Sequence, residues 1–368
     1  SMSKILILGG TGRTGTLIAR YLLEYSDAHI SLASRHPQQA GALADEFNHA
    51  YPGRRVDALY ADAGNINSLY SAFEGHNLLV VASPTTAQAG TVICSAIEAK
   101  IDYLDVQLSA NKLALLQSLS GEIEQAGLCF ITEAGFHPGL PSALVRYAAT
   151  QMESIESAVT AGYLNMGKDL PYTEAVDELI EVFKEYQVQV YKDGQWTGAG
   201  SFERRKIDFG GDIGRKTCYS MFFEELRPLP GMYPSLKETG FYMSETHWMV
   251  DYVVMMLTWA GLRLFPKGGR RLGKFLWWGM RTFHKPPYRV ELQVHARGVK
   301  NGQTEDFRAA VAHPDGYELT AMPGAAALLQ YLDGSARKPG LWMMGHLAEP
   351  VRLLRDMQRM GVDITPPV

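Results

Sequence analysis

Apolar positions follow two regimes along the chain. Over the first 150 residues, short apolar runs alternate with segments of helical period. Lys4–Leu8 (KILIL) reads as a strand, Ile18, Tyr21, Leu22 and Tyr25 recur at helical spacing, and His29–Ala33 reads as a second strand. Pro37 sits at a helix start and leads into Gln38–Asn48. Further strands are predicted at Val56–Tyr60, Asn77–Val81, Tyr103–Val106 and Leu128–Thr132, with helices over Thr86–Ala99 and Asn111–Ala126. Such alternation predicts a parallel sheet covered by helices on both faces.

From Gln151 the period falls to two. Ser157–Leu164, Gln187–Lys192, Arg215–Phe223 and Arg289–Gly298 read as longer strands, and Asp193-Gly194 and Asn301-Gly302 are hairpin signals. One helix, Thr173–Tyr186, interrupts them. After Tyr317 the helical period returns over Pro323–Leu332 and Pro350–Met360. The expected fold class is α/β: a Rossmann-type doubly wound parallel sheet carrying an inserted α+β domain built on a mainly antiparallel sheet. The expected divisions are 1–150 (dinucleotide binding), 151–317 (an inserted domain for substrate or dimerisation) and 318–368 (helices packing back on the first domain).

A length of 368 residues suits two domains of ordinary size. With 46% apolar and 20% charged residues the chain is neither disordered nor collagen-like. Its net charge of −4 offers no global field to attract nucleic acid. Cys94, Cys129 and Cys218 form no CxxC pair, which excludes a disulfide scaffold and a four-thiolate zinc site. No HxxxH or HxH spacing marks a metal site, and no GxSxG elbow is present. Ser1-Met2-Ser3-Lys4 runs into the first strand without a signal-peptide pattern, so a cytoplasmic location is expected.

The chemistry concentrates after the first strand, in Gly10-Thr11-Gly12-Arg13-Thr14-Gly15. Gly10 permits the tight turn, Gly12 admits a pyrophosphate close to the backbone, and Gly15 lets helix and strand approach. The helix amino terminus adds N–H donors and a partial positive charge. At the end of the second strand stands Ser34-Arg35-His36, where an NAD enzyme would carry an acid. A guanidinium there can grip a 2′-phosphate, so NADP is the expected cofactor, while a solvated surface charge is the plain alternative. Arg13 can cover the adenine or reach the same phosphate. Asp62 can accept from the adenine amino group, and Ser83, Pro84 and Thr85 can line the nicotinamide ribose; each can equally be a turn or cap residue.

Three stretches together resemble the saccharopine dehydrogenase–like NADP oxidoreductases. They are GGTGRTG, the run Pro84-Thr85-Thr86 … Cys94 … Ala96 … Glu98-Ala99 … Tyr103-Leu104-Asp105, and Ala134-Gly135-Phe136-His137-Pro138-Gly139. Met322-Pro323-Gly324 … Leu332-Asp333-Gly334 … Gly340 also looks like that family's closing segment. The resemblance implies a split dinucleotide domain, pairing with a second copy through the inserted sheet, and hydride exchange between NADPH and a C=N or C=O bond. It covers residues 4–150 and 315–362, and His137 stands where the family commonly carries an acid. An imidazole of ordinary pKa, ~6.5, gives or takes a proton at neutral pH, so His137 is a candidate proton donor or loop tie. Asp105 is a second catalytic candidate, or a cap or ion-pair residue. Gln107 and Arg215 are candidates for holding a small substrate.

One segment stands apart. Trp248–Lys285 carries seven Lys and Arg against one acid, a net +6 that leaves −10 for the remainder, and four of the six tryptophans. Its longest apolar run is too short for a spanning helix, which needs about 20 residues. It reads either as helices covering the inserted sheet or a second subunit, or as a peripheral membrane contact. The functional expectation is therefore an NADP-dependent oxidoreductase acting on a small molecule. The alternatives are a non-catalytic NADP-binding sensor and a membrane-peripheral dehydrogenase acting on lipid-like compounds.

Overall fold

The computed structural model describes residues 2–83, 86–170, 188–198, 203–245, 247 and 249–368. The helix expected at Thr173–Tyr186, together with Pro84, Thr85, Gln187 and Trp248, lies outside the described residues. The chain divides into two compact units, residues 1–140 with 317–360 and residues 141–316 with 361–368. The break near 150 thus lies at 140, because the helix after it groups with the second unit.

The first unit runs β1 (Lys4–Leu8), α1 (Arg13–Tyr25), β2 (His29–Ser34), α2 (Pro37–Ala50), β3 (Val56–Tyr60), α3 (Ile66–Phe73), β4 (Leu78–Val81), α4 (Ala89–Glu98), β5 (Asp102–Asp105), α5 (Ala110–Ser118), α6 (Ser120–Gln125) and β6 (Cys129–Thr132). The helix α7 (Leu140–Thr150) follows. With the later strand β15 (Gly340–Met343), the order in the first sheet is β15-β6-β5-β4-β1-β2-β3, with every pair parallel. Strand order reverses between β1 and β4, the switch point at which such sheets bind ligands. Ile5, Leu6, Ile7, Ile30, Leu32, Leu79 and Val80 are fully buried, as a sheet covered on both faces requires.

Two elements of this unit escape periodicity. Helix α3 is only eight residues long; Asn65 caps it by accepting from the Ser68 N–H at 3.2 Å. Strand β15 (Gly340–Met343) extends the sheet parallel to β6. The returning segment, expected to supply two helices, therefore supplies an edge strand as well as α10 (Gly316–Leu332) and α11 (Pro350–Arg359). Helix α10 starts earlier than the expected Pro323, which lies inside it.

The second unit holds β7 (Ser154–Asn165), β8 (Gln189–Lys192), β9 (Gln195–Gly198), β10 (Arg204–Asp208), β11 (Arg215–Met221), β12 (Glu238–Ser244), β13 (Arg289–Lys300), β14 (Gln303–His313) and β16 (Asp363–Thr365). Its path is β10-β11-β12-β7-β13-β14-β16, antiparallel except for the β12–β7 pair, with β8 and β9 on a branch from β12. Both hairpin signals hold: Asp193 and Gly194 have φ of 50° and 79°, Asn301 and Gly302 of 52° and 72°, the turn geometry that the strand twist favours. The last residues return to this sheet because β16 pairs with β14. Between β12 and β13 stand α8 (Met255–Leu264) and α9 (Gly269–Thr282).

Candidate cofactor and active site

The loop after β1 is shaped by its glycines. Gly9 has φ +80°, and a Cβ there would meet the Ser83 backbone N at 2.9 Å, so β1 and the end of β4 approach through its missing side chain. A Cβ on Gly15 would collide with the Gly9 carbonyl oxygen, so α1 also requires glycine there. The Gly9 and Gly10 N–H groups donate to the Ala33 carbonyl at 3.1 and 3.3 Å, which ties the loop to β2.

Gly12 is the N-cap of α1; no side chain caps that helix and its first turn carries no acid. A thirteen-residue helix thus presents its amino terminus, with its partial positive charge, beyond the carboxyl end of a parallel sheet. Thr11 Oγ1 donates to Ser34 Oγ at 3.4 Å, and the His36 N–H donates to the same oxygen at 3.0 Å. Thr11 and Ser34 therefore fasten the loop to the end of β2, where Arg35 is exposed. The Arg13 guanidinium lies over the Tyr317 ring, 4.3 Å from its centroid. Thr14 follows Arg13 in the first turn, half-buried. The donors, the glycine cradle and the exposed cation beyond β2 fit a dinucleotide carrying an extra phosphate.

The ends of β4, β5 and β6 form one hydrogen-bonded platform. Asp105 is fully buried at the end of β5. Its carboxylate accepts from Tyr103 OH at 2.5 Å, Thr132 Oγ1 at 3.0 Å, the Glu133 N–H at 3.2 Å and the Gln107 N–H at 3.3 Å. It also pairs with buried Lys112 Nζ at 2.8 Å, which in turn donates to the Gln107 carbonyl at 2.5 Å. Burial and the neighbouring carboxylate raise the Tyr103 hydroxyl well above its usual pKa, so it stays a donor. The catalytic role expected of Asp105 does not fit this placement: a carboxylate has about four acceptor sites, and five donors already converge on it. It positions two loops instead.

Gln107 is buried, and its Nε2 donates to the Ser83 carbonyl at 2.6 Å, which joins the loop after β5 to the one after β4. That use of its amide differs from the substrate contact expected of it. Asp62 is half-buried after β3; its Oδ1 accepts from the Gly64 N–H at 2.9 Å, so it shapes a turn while its other oxygen can face an adenine.

His137 lies in a tight loop after β6, closed by a Gly135–Gly139 bridge and by the Gly135 N–H donating to the Pro138 carbonyl at 3.2 Å. The Ala134 N–H donates to the Asp105 carbonyl at 2.9 Å, which links this loop to the platform. The imidazole stands 4.3 Å from the Phe136 ring, and the dense packing lowers its pKa to about 4. The ring is therefore neutral at pH 7, a weaker proton donor than an imidazole of ordinary pKa and in keeping with the role of loop tie. Arg215 lies in the second unit, exposed at the start of β11.

Three residues escaped the sequence reading. Lys112 holds the platform, Tyr317 receives Arg13, and Glu133 is buried after β6 with φ +56°, a conformation uncommon for a side-chain-bearing residue. Glu133 alone left a signal, as an acid adjoining the Ala134-Gly135-Phe136-His137 loop.

These features define an oxidoreductase with an NADP-binding domain. Residues 5–129 match the family of saccharopine dehydrogenase NADP-binding domains. It is 24% identical to carboxynorspermidine synthase of Vibrio cholerae over 96% of this chain and 94% of that protein. Its fold is that of the apo saccharopine dehydrogenase (L-Glu forming) of Saccharomyces cerevisiae, with a TM-score of 0.69 at 14% identity over 98% of this chain and 99% of that one.

Proposed function

We propose that this protein transfers a hydride between NADPH and the carbon of a C=N or C=O bond in a small, amine-bearing substrate. The observation that carries the reading is the amino terminus of α1: no side chain caps it and no acid crowds it, with Arg35 exposed at the neighbouring strand end. The N–H groups of the first turn would receive the pyrophosphate, and the Arg35 guanidinium would pair with the 2′-phosphate. The nicotinamide supplies the hydride, and the protein's share is binding and orientation. Ser83 and Gln107, joined at 2.6 Å, would fix the floor of the nicotinamide subsite. Neutral His137 would donate a hydrogen bond to the substrate heteroatom; hydride addition to a protonated iminium gives the neutral amine directly, while a C=O would take its proton from water. The class of substrate is suggested by the name of the Vibrio relative, a synthase of a carboxylated polyamine.

The test is steady-state NADPH oxidation against aldehydes and keto acids, each with and without diamines or amino acids. Turnover requiring both a carbonyl compound and an amine is the expected result. Tight NADPH binding with no turnover across the panel would favour a second reading, a nucleotide-responsive protein without chemistry. The packing of His137 against Phe136 in the closed loop after β6, which lowers its pKa to about 4 and so disfavours it as a proton donor, supports that reading.

A further inference from the structure

We infer that the α8–α9 hairpin is a docking element for an anionic lipid surface. With the helical turn Met249–Val254 that leads into α8, the two helices share a small core, in which Val250, Val254, Leu262 and Leu276 are buried. They pack closely: a Cβ on Gly261 would meet Leu272 Cδ2 at 2.6 Å, and one on Gly279 would meet Val254 Cγ1 at 2.8 Å. With one face satisfied in this way, α8 is still apolar on its outer face. Met256 is 65% exposed, Leu264 73% and Phe265 69%, with Leu257 and Trp259 also exposed. A soluble surface helix would carry polar residues there.

Charge names the occupant. Arg263, Lys267, Arg270, Arg271 and Lys274 surround the tip, all exposed, with no acid between residues 252 and 285. On α9 the cations Arg270, Lys274 and Arg281 recur at spacings of three and four with exposed Trp278, which forms a basic stripe opposite buried Gly273, Leu276 and Gly279. Near the tip, Arg263 lies over the Trp259 ring at 4.1 Å, a cation paired with an indole as at headgroup depth; at the far end of α9, Arg281 lies over Trp277 at 4.8 Å and donates to the Lys168 carbonyl at 2.9 Å. A second copy meeting this patch about a twofold axis would set like charges against each other. Nucleic acid would meet the cations but leave Leu264 and Phe265 in water. Anionic lipid answers both, taking the apolar tip roughly 5–10 Å into the headgroup boundary and pairing its phosphates with the cations. No helix among the described residues is long and apolar enough to cross a membrane, so the element lies on the surface.

The experiment is co-sedimentation of the full chain, at low salt, with vesicles of phosphatidylcholine containing phosphatidylglycerol and with phosphatidylcholine alone. The protein is expected to pellet with the anionic vesicles only. The pairs Leu264→Ser with Phe265→Ser, and Arg270→Glu with Arg271→Glu, should each weaken partition by roughly tenfold or more. Melting temperature and NADPH affinity, measured on the same samples, should match the parent protein and show that the variants fold. Absence of sedimentation, equal partition to neutral vesicles, or indifference to both pairs overturns the inference. So does a serine pair that only converts a dimer to monomers, or retention on a DNA duplex without retention on vesicles.

Discussion

Two strand ends in one parallel sheet, those of β1 and β5, carry the features that most suggested chemistry, and they differ in what they leave available. At β1, glycines strip away side chains and α1 begins with no side-chain cap. At β5, Asp105 is fully buried and already accepts from two hydroxyls, two backbone N–H groups and an ammonium. An ionisable residue at the crevice is thus a poorer mark of a site than a helix terminus left open for a ligand. Charge inside the platform builds it; the uncapped terminus stays open to a ligand.

The largest effect is expected at the platform. Asp105→Ala leaves the Lys112 ammonium buried without its carboxylate, which costs about 3–5 kcal/mol. Urea unfolding measures it. Asp105→Asn combined with Lys112→Met should cost less than the sum of the two single changes, because the pair is removed together. Additive losses would show that the two side chains are not coupled, and would end the contrast with β1.

The loop after β1 comes next. Gly15→Ala drives a Cβ into the Gly9 carbonyl, and the loop must shift away from the end of β2. NADPH affinity should fall by about 10- to 100-fold, with a smaller loss of stability of roughly 1–3 kcal/mol. Calorimetric titration beside thermal unfolding separates the two, and unchanged affinity would remove the loop from the site. Arg35→Asp follows, on a side chain that is already exposed. It should weaken NADPH by about 10- to 100-fold and NADH by much less, because only NADPH loses a charge-assisted pair. Equal losses would show that this guanidinium serves solubility and leaves the 2′-phosphate alone.

The same contrast explains what could be read from the chain. Strands β1 to β6, the glycine loop and both type I′ turns follow from local pattern, because each is decided by a handful of adjacent residues. Strands β10, β12 and β14 lack clean alternation: the first half of β14, Gln303-Thr304-Glu305-Asp306, is exposed on both faces and holds its place by pairing with β13. Strand β15 is legible only once β6 exists beside it. In the candidate site, the glycine loop and the exposed place of Arg35 beyond β2 were legible because each follows from position in a βα unit. The fate of Asp105 was not, since Tyr103 and Thr132 converge on it only after the sheet forms. Tyr317 reaches Arg13 from the far end of the chain, and nothing local announces that contact.

His137 tests the comparison where it is finest, because it belongs to the platform by sequence and to the crevice by position. Burial lowers its folded pKa to about 4, while the unfolded chain titrates near ~6.5. As pH falls from 6.5 toward 4, the unfolded state takes up a proton that the native state refuses, so stability declines across that window and is flat above it. His295, also lowered to about 4 by burial, adds a second share with the same sign. His137→Gln should therefore flatten part of the decline, leaving the share of His295. Turnover should show no break near 6.5 that the variant abolishes, since the imidazole is neutral on both sides of it. A break there that disappears in His137→Gln would mean that the ring titrates freely, restoring to it the proton transfer that its packing now denies.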